Sequence, residues 1–258
     1  MKTPLPERDQ APAPQQTDAA VISIRELKAA CTTCSLRELC MPFGLTTDDL
    51  ALIDTMVTSR KRLRKGDTLY RAGDRFDALY AVWRGSVKNE VLAEDGREQV
   101  TGYHMVGDLV GLDGIATDRH TSQASALEDS EVCVLRFEQL EMLAQRVPAL
   151  QHNLQRFLSR EIERDHQVML LLGSMRAEER VAAFLLDLAE RCRRRGYSST
   201  QFALRMRREE LGSYLGLKLE TVSRLLSRLQ QEGVIRIRGR DVTLLDATAL
   251  RQLCSARG

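Results

Sequence analysis

No stretch of this 258-residue chain comes near the roughly 18 consecutive apolar residues that a membrane-spanning helix needs. The opening MKTPLPERDQ lacks the apolar run of a secretory signal, and the expectation is a cytoplasmic chain without a membrane association. Also missing are a glycine-rich nucleotide loop, a catalytic triad and a second close cysteine pair, so no enzyme is expected. The four histidines, His104, His120, His152 and His166, show no ligand spacing and are read as structural or surface residues. Proline is scarce, and four of the six (Pro4, Pro6, Pro12 and Pro14) stand at the start, so residues 1–22 are expected to form a disordered tail.

Against this background the stretch CTTCSLRELC stands out, with Cys31, Cys34 and Cys40 inside ten residues. Reduced thiols at such spacing point to metal or redox chemistry rather than to disulfides, and a disulfide within the trio would leave an odd thiol. Zinc also accepts thiolates, although a zinc ribbon has a second close pair. Three further cysteines, Cys133, Cys192 and Cys254, leave a fourth ligand open, because a lone cysteine in a strand or helix is ordinarily a small core residue.

The net charge of +2 hides an asymmetry. Residues 174–258 hold 17 Lys/Arg and 10 Asp/Glu, while the remainder holds 21 and 26. A basic C-terminal third beside an acidic body suggests a polyanion-binding module attached to something else.

Texture divides the chain further. Residues 23–44 form a cysteine-rich segment, in which 23–30 are predicted to be a short helix. Residues 45–146 carry short apolar runs punctuated by glycine and aspartate (KGDTLYRAGD, ALYAVWRGSVK), which predicts an antiparallel β-roll. Over residues 147–173 the period becomes helical. Leu150, Leu154, Leu158, Ile162, Asp165, Met169 and Leu172 recur at steps of three and four, a narrow seam suited to a partner helix in a dimer. Asp165 is its one charged member. Residues 174–258 open with an amphipathic helix at 177–195 and continue with helices at 207–215 and 218–231 around Gly216, followed by a hairpin. The overall class is α+β: a sensory β-roll, a dimerisation helix and a winged helix-turn-helix.

On the second of these helices, Val222, Leu225, Leu226 and Leu229 supply a packing face, while Glu220, Ser223 and Arg224 share another near the N-terminus. Arginine reads guanine bidentately and glutamate accepts from cytosine, so this trio suits base recognition in duplex DNA. Arg205, Arg207, Arg208, Arg228, Arg236, Arg238 and Arg240 provide a basic setting.

From Cys31 to the C-terminus the chain resembles the catabolite-activator/FNR superfamily of bacterial transcription factors, in GDTLYRAGD, LYAVWRGSVK, GDLVG and LGSYLGLKLETVSRLLSRLQQEG. The C-x2-C-x5-C cluster followed by MPFGL resembles the FNR branch. That resemblance implies a 4Fe–4S cluster on Cys31, Cys34, Cys40 and, from the family register, Cys133. It implies that oxygen converts the cluster, that the homodimer of Leu158, Ile162, Asp165, Met169 and Leu172 then separates, and that DNA is released. Asp165 facing its own copy would make the dimer marginal, and Leu39 is a candidate shield for the cluster. Leu219 and Ser223 stand where cyclic-AMP-binding members carry arginine and glycine, which implies half-sites of the TTGAT-N4-ATCAA kind. The nucleotide pocket of those members pairs Gly-Glu-Leu with Arg-Ser/Thr-Ala. Here Gly107, Asp108 and Leu109 precede a displaced Arg119, so no cyclic-nucleotide site is expected. The resemblance also implies contact with RNA polymerase, for which the turn AEDGREQ at 93–99 is the candidate. A regulator of the same fold gated by zinc or by thiol oxidation is the alternative.

Overall fold

The computed structural model of the protein describes residues 21–23, 44–92 and 96–255. The order of elements is β1 (Val21–Ser23), α1 (Thr47–Met56), β2 (Val57–Leu63), β3 (Thr68–Tyr70), β4 (Ala78–Arg84), β5 (Ser86–Leu92), β6 (Glu98–Met105), β7 (Leu109–Val110), β8 (Gln123–Ala126), β9 (Ser130–Arg136) and α2 (Phe137–Arg146). These strands form two antiparallel sheets, β1-β2-β9-β4-β7 and β3-β8-β5-β6. Inward-facing Leu63, Leu69, Val82, Val87, Val110 and Val132 fill the space between them, so the expected β-roll is present.

Two expectations for this region change. Val21 and Ile22, placed in the tail, instead pair with β2 in register with Lys61 and Arg60. Two β-branched residues beside an open strand edge satisfy that edge's backbone groups. The roll also carries a helix at each end, α1 and α2, where the sequence suggested strands throughout. Leu50 and Ile53 of α1 and Leu140 and Ala144 of α2 cover the outer face of the first sheet, against Leu79 and Leu135. An apolar sheet face needs such a cover, and a short apolar run does not reveal whether it is the sheet or its lid. Ser23, the first residue of the helix predicted at 23–30, ends β1 instead, while residues 1–20, the rest of that helix and the cysteine trio lie outside the described residues.

The C-terminal part follows as α3 (Pro148–Ser174), α4 (Ala177–Arg194), β10 (Gln201–Ala203), α5 (Arg208–Leu215), α6 (Leu219–Gln231), β11 (Ile235–Arg238), β12 (Asp241–Leu244) and α7 (Ala247–Ser255), with β10-β12-β11 as a small sheet. Pro148 opens α3, where its missing N–H costs nothing. Met175 and Arg176 break the helix in extended conformation before α4 begins. Glu179 caps that new start by accepting the Arg176 backbone N–H at 3.0 Å. Val181, Leu185 and Leu188 of α4 are fully buried with Leu211, Leu215, Val222, Leu226 and Leu250. The same cluster takes in Val100, Tyr103 and Leu127 of the roll, so the apolar core runs across the boundary between the two units.

Candidate nucleic-acid interface and thiol site

The helix-turn-helix is α5 and α6, and its turn is held by two glycines. Gly216 adopts the left-handed conformation (φ 63°) that ends α5. A Cβ on Gly212 would stand 2.7 Å from the Leu217 carbonyl oxygen, so the chain after the turn passes too closely for any side chain there. Val222, Leu226 and Leu229 are buried, which leaves the opposite face of α6 in solvent. Glu220 and Arg224 are exposed and Ser223 is half-buried, so the structure brings the predicted base-reading trio together on one accessible face. Glu220 and Arg224 do not form a side-chain ion pair: the Arg224 Nε lies 3.4 Å from the Glu220 backbone oxygen. Leu219, 45% exposed, opens the same helix with an apolar surface.

The basic setting is smaller than the sequence suggested. Arg205 pairs with Glu128 of the roll at 3.2 Å, Arg207 with Glu210 at 3.3 Å, and Arg228 with Glu178 and Glu232. Arg236, Arg238 and Arg240 project from the β11–β12 wing into solvent. The AEDGREQ turn is also less free than expected. Ala93, Glu94 and Asp95 lie outside the described residues, and Ser213 of α5 engages the remainder, donating from its hydroxyl to the Glu98 carbonyl at 3.1 Å. Gln99 donates to the Ser213 carbonyl.

The dimer seam is divided by helical geometry. At about 100° per residue, Leu158, Ile162, Asp165 and Met169 fall within one sector of roughly 60°. All four are exposed, Ile162 and Met169 at 56% and 61%. Leu150, Leu154 and Leu172 fall in the neighbouring sector and turn inward, the first two into the cover of the roll and Leu172 against the DNA-binding core. Leu172 therefore stands apart from the other four.

Cys133 lies on β9 between Arg60 of β2 and Ala81 of β4, half-buried against the cluster of Leu50, Ile53, Leu135 and Leu150. Cys192 and Cys254 pack with the DNA-binding core, where burial pushes both thiols up. Cys31, Cys34 and Cys40 lie outside the described residues.

A buried polar group inside the roll went unnoticed in the sequence. Asp113 accepts from the Thr121 and Ser122 backbone N–H groups, both at 2.9 Å, and from the Ser122 hydroxyl at 2.9 Å. His120 stacks on Tyr70 with ring centres 3.6 Å apart, and Asn89 donates to the Tyr70 hydroxyl at 2.9 Å. Burial and the neighbouring Asp113 charge push the Tyr70 phenol well above its usual range, so it stays a neutral donor. No period or motif marks these residues, because they meet only through the sheet. Arg119 points outward and donates to the Gly73 carbonyl at 2.8 Å, while Asp108 turns toward arginines of α4.

Comparison with known proteins agrees with this architecture. Residues 60–147 match the cyclic nucleotide-binding domain family, and residues 179–253 match the Crp-like helix-turn-helix domain family. The transcriptional regulatory protein btr of Bordetella pertussis is 48% identical over 87% of this chain and 93% of its own length. The transcriptional activator protein anr of Pseudomonas aeruginosa is 44% identical over 93% and 98%. The fumarate and nitrate reduction regulatory protein of Escherichia coli K12 is 43% identical over 86% and 89%. Among solved structures, FixK2 from Bradyrhizobium japonicum superposes with a TM-score of 0.71 at 33% identity, covering 77% of this chain and 98% of that one. These relatives are transcription regulators, and such membership implies DNA binding by a dimer. On this sequence similarity and shared fold, the chain belongs to the Crp/FNR family of transcription regulators, with its close relatives in the FNR branch.

Proposed function

We propose that this chain is a cytoplasmic, oxygen-responsive regulator that holds an iron–sulfur cluster on Cys31, Cys34, Cys40 and Cys133 and binds duplex DNA as a homodimer. The position of Gly44 carries the reading. Four residues beyond Cys40, it rests against Ala149 in the first turn of α3, and Ala149 and Cys133 pack on the same apolar cluster. Four residues of chain span at most about 14 Å. At the other end of the segment, Ile22 lies beside Arg60 and Arg60 beside Cys133, so β1 and β9 are about 10 Å apart. Both described flanks of the trio, β1 and Gly44, thus lie in the part of the roll that holds Cys133, which supports these four ligands. Cys192 and Cys254 pack instead on the separate cluster of the DNA-binding unit.

Four soft, anionic thiolates suit iron–sulfur chemistry. When bound, the cluster supplies an oxygen-labile cross-link among them. The chain's own residues convert that link into DNA binding. Fixing residues 31–40 to Cys133 fixes Gly44 and α1 against the head of α3, the helix that presents Leu158, Ile162, Asp165 and Met169 to a second copy. A coupling of only a few kcal/mol, set against the repulsion of paired Asp165 carboxylates, is enough to move the dimer equilibrium. In the dimer, two α6 helices present Glu220, Ser223 and Arg224 to half-sites of the TTGAT-N4-ATCAA kind, and the AEDGREQ turn at 93–99 is the candidate face for RNA polymerase. The Asp113 network occupies the interior of the roll with protein groups, which supports a signal other than a cyclic nucleotide.

The test begins with protein prepared without oxygen. Iron, sulfide and zinc are quantified, and the absorption spectrum and solution mass are recorded before and after air. Four iron and four sulfide per chain, bleaching as dimers become monomers, is the expected result. Stoichiometric zinc in an air-stable dimer would leave the fold and refute the oxygen signal. Cys133→Ser is expected to abolish iron retention, whereas Cys192→Ser and Cys254→Ser are expected to keep it.

A further inference from the structure

Asp108 sits in the tight turn between β6 and β7, where its Oδ2 accepts the Met105 backbone N–H at 2.8 Å. From that turn it reaches the other unit of the molecule. Its Oδ2 accepts from Arg191 Nη2 at 2.8 Å and its Oδ1 from Arg195 Nη2 at 2.6 Å, Arg191 standing in the last turn of α4 and Arg195 just past its end. A third guanidinium, Arg164 of α3, stands at 3.7 Å. Arg191 is buried and Arg195 half-buried, and both bind the roll a second time: Arg191 donates to the Tyr103 carbonyl and Arg195 Nε to the Val106 carbonyl, both at 2.6 Å. One carboxylate therefore joins the sensory roll, the dimer helix and the DNA-binding unit. Between α3 and α4 the covalent connection is the non-helical pair Met175 and Arg176, across which Arg180 donates to the Leu172 and Met175 carbonyls.

We infer that Asp108 is a positioning residue that clamps the DNA-binding unit to its own sensory roll and so sets where α6 is presented to DNA. The docked arrangement leaves Glu220 and Arg224 exposed, so the clamp holds a unit that is free to read bases. Docking also has a local signature. β6 is the edge strand of its sheet, and its Val100 N–H donates to the Ser213 hydroxyl of α5 at 2.8 Å rather than to another strand. Exchange of that one amide with solvent reports whether the units are docked.

The experiment uses the full chain with Asp108→Asn, which keeps the size of the side chain and removes its charge. Hydrogen exchange is followed at Val100, and affinity for a duplex carrying the TTGAT-N4-ATCAA palindrome is measured on the oxygen-free dimer. The expected result is exchange at Val100 faster by tenfold or more, unchanged exchange in the β5–β8 pairing, unchanged iron content and dimer mass, and DNA affinity about tenfold weaker. Exchange within twofold of the unaltered chain overturns the clamp. Faster exchange with unchanged affinity overturns the positioning role, and tighter DNA binding would make the contact a restraint instead. Should Asp108→Asn fail to fold, Arg195→Gln removes one arm of the clamp and carries the same expectations. The DNA measurement rests on the half-site reading proposed above. The exchange measurement needs neither DNA nor cluster, so failure of that reading is distinguishable from failure of the clamp.

Discussion

Arg224 and Arg236 both extend a guanidinium into solvent from the DNA-binding unit, yet they stand on elements that meet different parts of a duplex. Arg224 projects from the first turns of α6, where a side chain reaches base edges, and Arg236 projects from the wing. Arg224→Ala is expected to cost about 1–3 kcal/mol on the palindrome and to relax discrimination at the guanine it reads. Arg236→Ala should weaken binding alike on all sequences and reduce the salt slope by about 1. Competition binding on base-substituted duplexes at several salt concentrations separates the two. A residue buried far from DNA makes a different prediction. Burial first, then the Arg164 charge, push the His104 imidazole down to about 3, and its Nδ1 has no hydrogen-bond partner among the described residues. It is neutral in the folded chain and protonates near 6.5 once unfolded, so the unfolded state takes up the proton and stability falls as pH drops from about 6.5 toward 3. The slope from this one group is at most about 1.4 kcal/mol per pH unit. Urea unfolding of cluster-free protein between pH 7.5 and 5 should show that decline, and His104→Gln should flatten it.

At the scale of elements, α3 shows how a single helix serves two contacts. Its inward sector holds Leu150, Asn153, Leu154 and Leu171 against the chain's own body, and the adjoining sector holds Leu158, Ile162, Asp165 and Met169 in solvent. In a parallel pair Asp165 faces its copy, so removing the charge removes the repulsion. Asp165→Ala is expected to tighten the cluster-free dimer tenfold or more, read by sedimentation in air. An unchanged monomer–dimer constant would remove the marginal-dimer mechanism. The sequence shows the 3.5-residue recurrence of this seam but not its division, since a list of apolar positions does not state which side of a helix its own domain occupies. The helix-turn-helix is more legible, because its period, its glycines and its base-reading residues all lie within one short stretch. The helices α1 and α2 are not legible, for their short apolar runs suit a strand as well as a lid. Cys133 is an intermediate case. Its strand is evident in SEVCVLRF, but its place beside the head of α3 depends on β9 pairing with β2 and β4, contacts between residues far apart in the chain.

At the scale of the whole molecule, the division into a sensory unit and a DNA-binding unit describes function better than it describes stability. Val100, Tyr103 and Leu127 of the roll share one apolar cluster with Leu185, Leu211 and Leu226. The β6 edge is closed by Ser213, and Asp108 lies beneath the α4 arginines. None of these pairs is visible in composition, since each joins residues far apart in the chain, and the period that marks Leu185 and Leu226 as buried does not say against what. Two linked but independent domains would unfold in two steps, and either would survive alone. A shared core predicts one cooperative transition by circular dichroism and by fluorescence of Trp83 in β4, the chain's single tryptophan. It further predicts that residues 1–175, expressed without the rest, expose both an apolar patch and an unpaired strand edge. Such a fragment should self-associate or lose Tm by many degrees. A monomeric fragment as stable as the full chain would show that the roll does not need its partner unit. Asp108→Asn would then alter orientation alone, with no change in the unfolding curve.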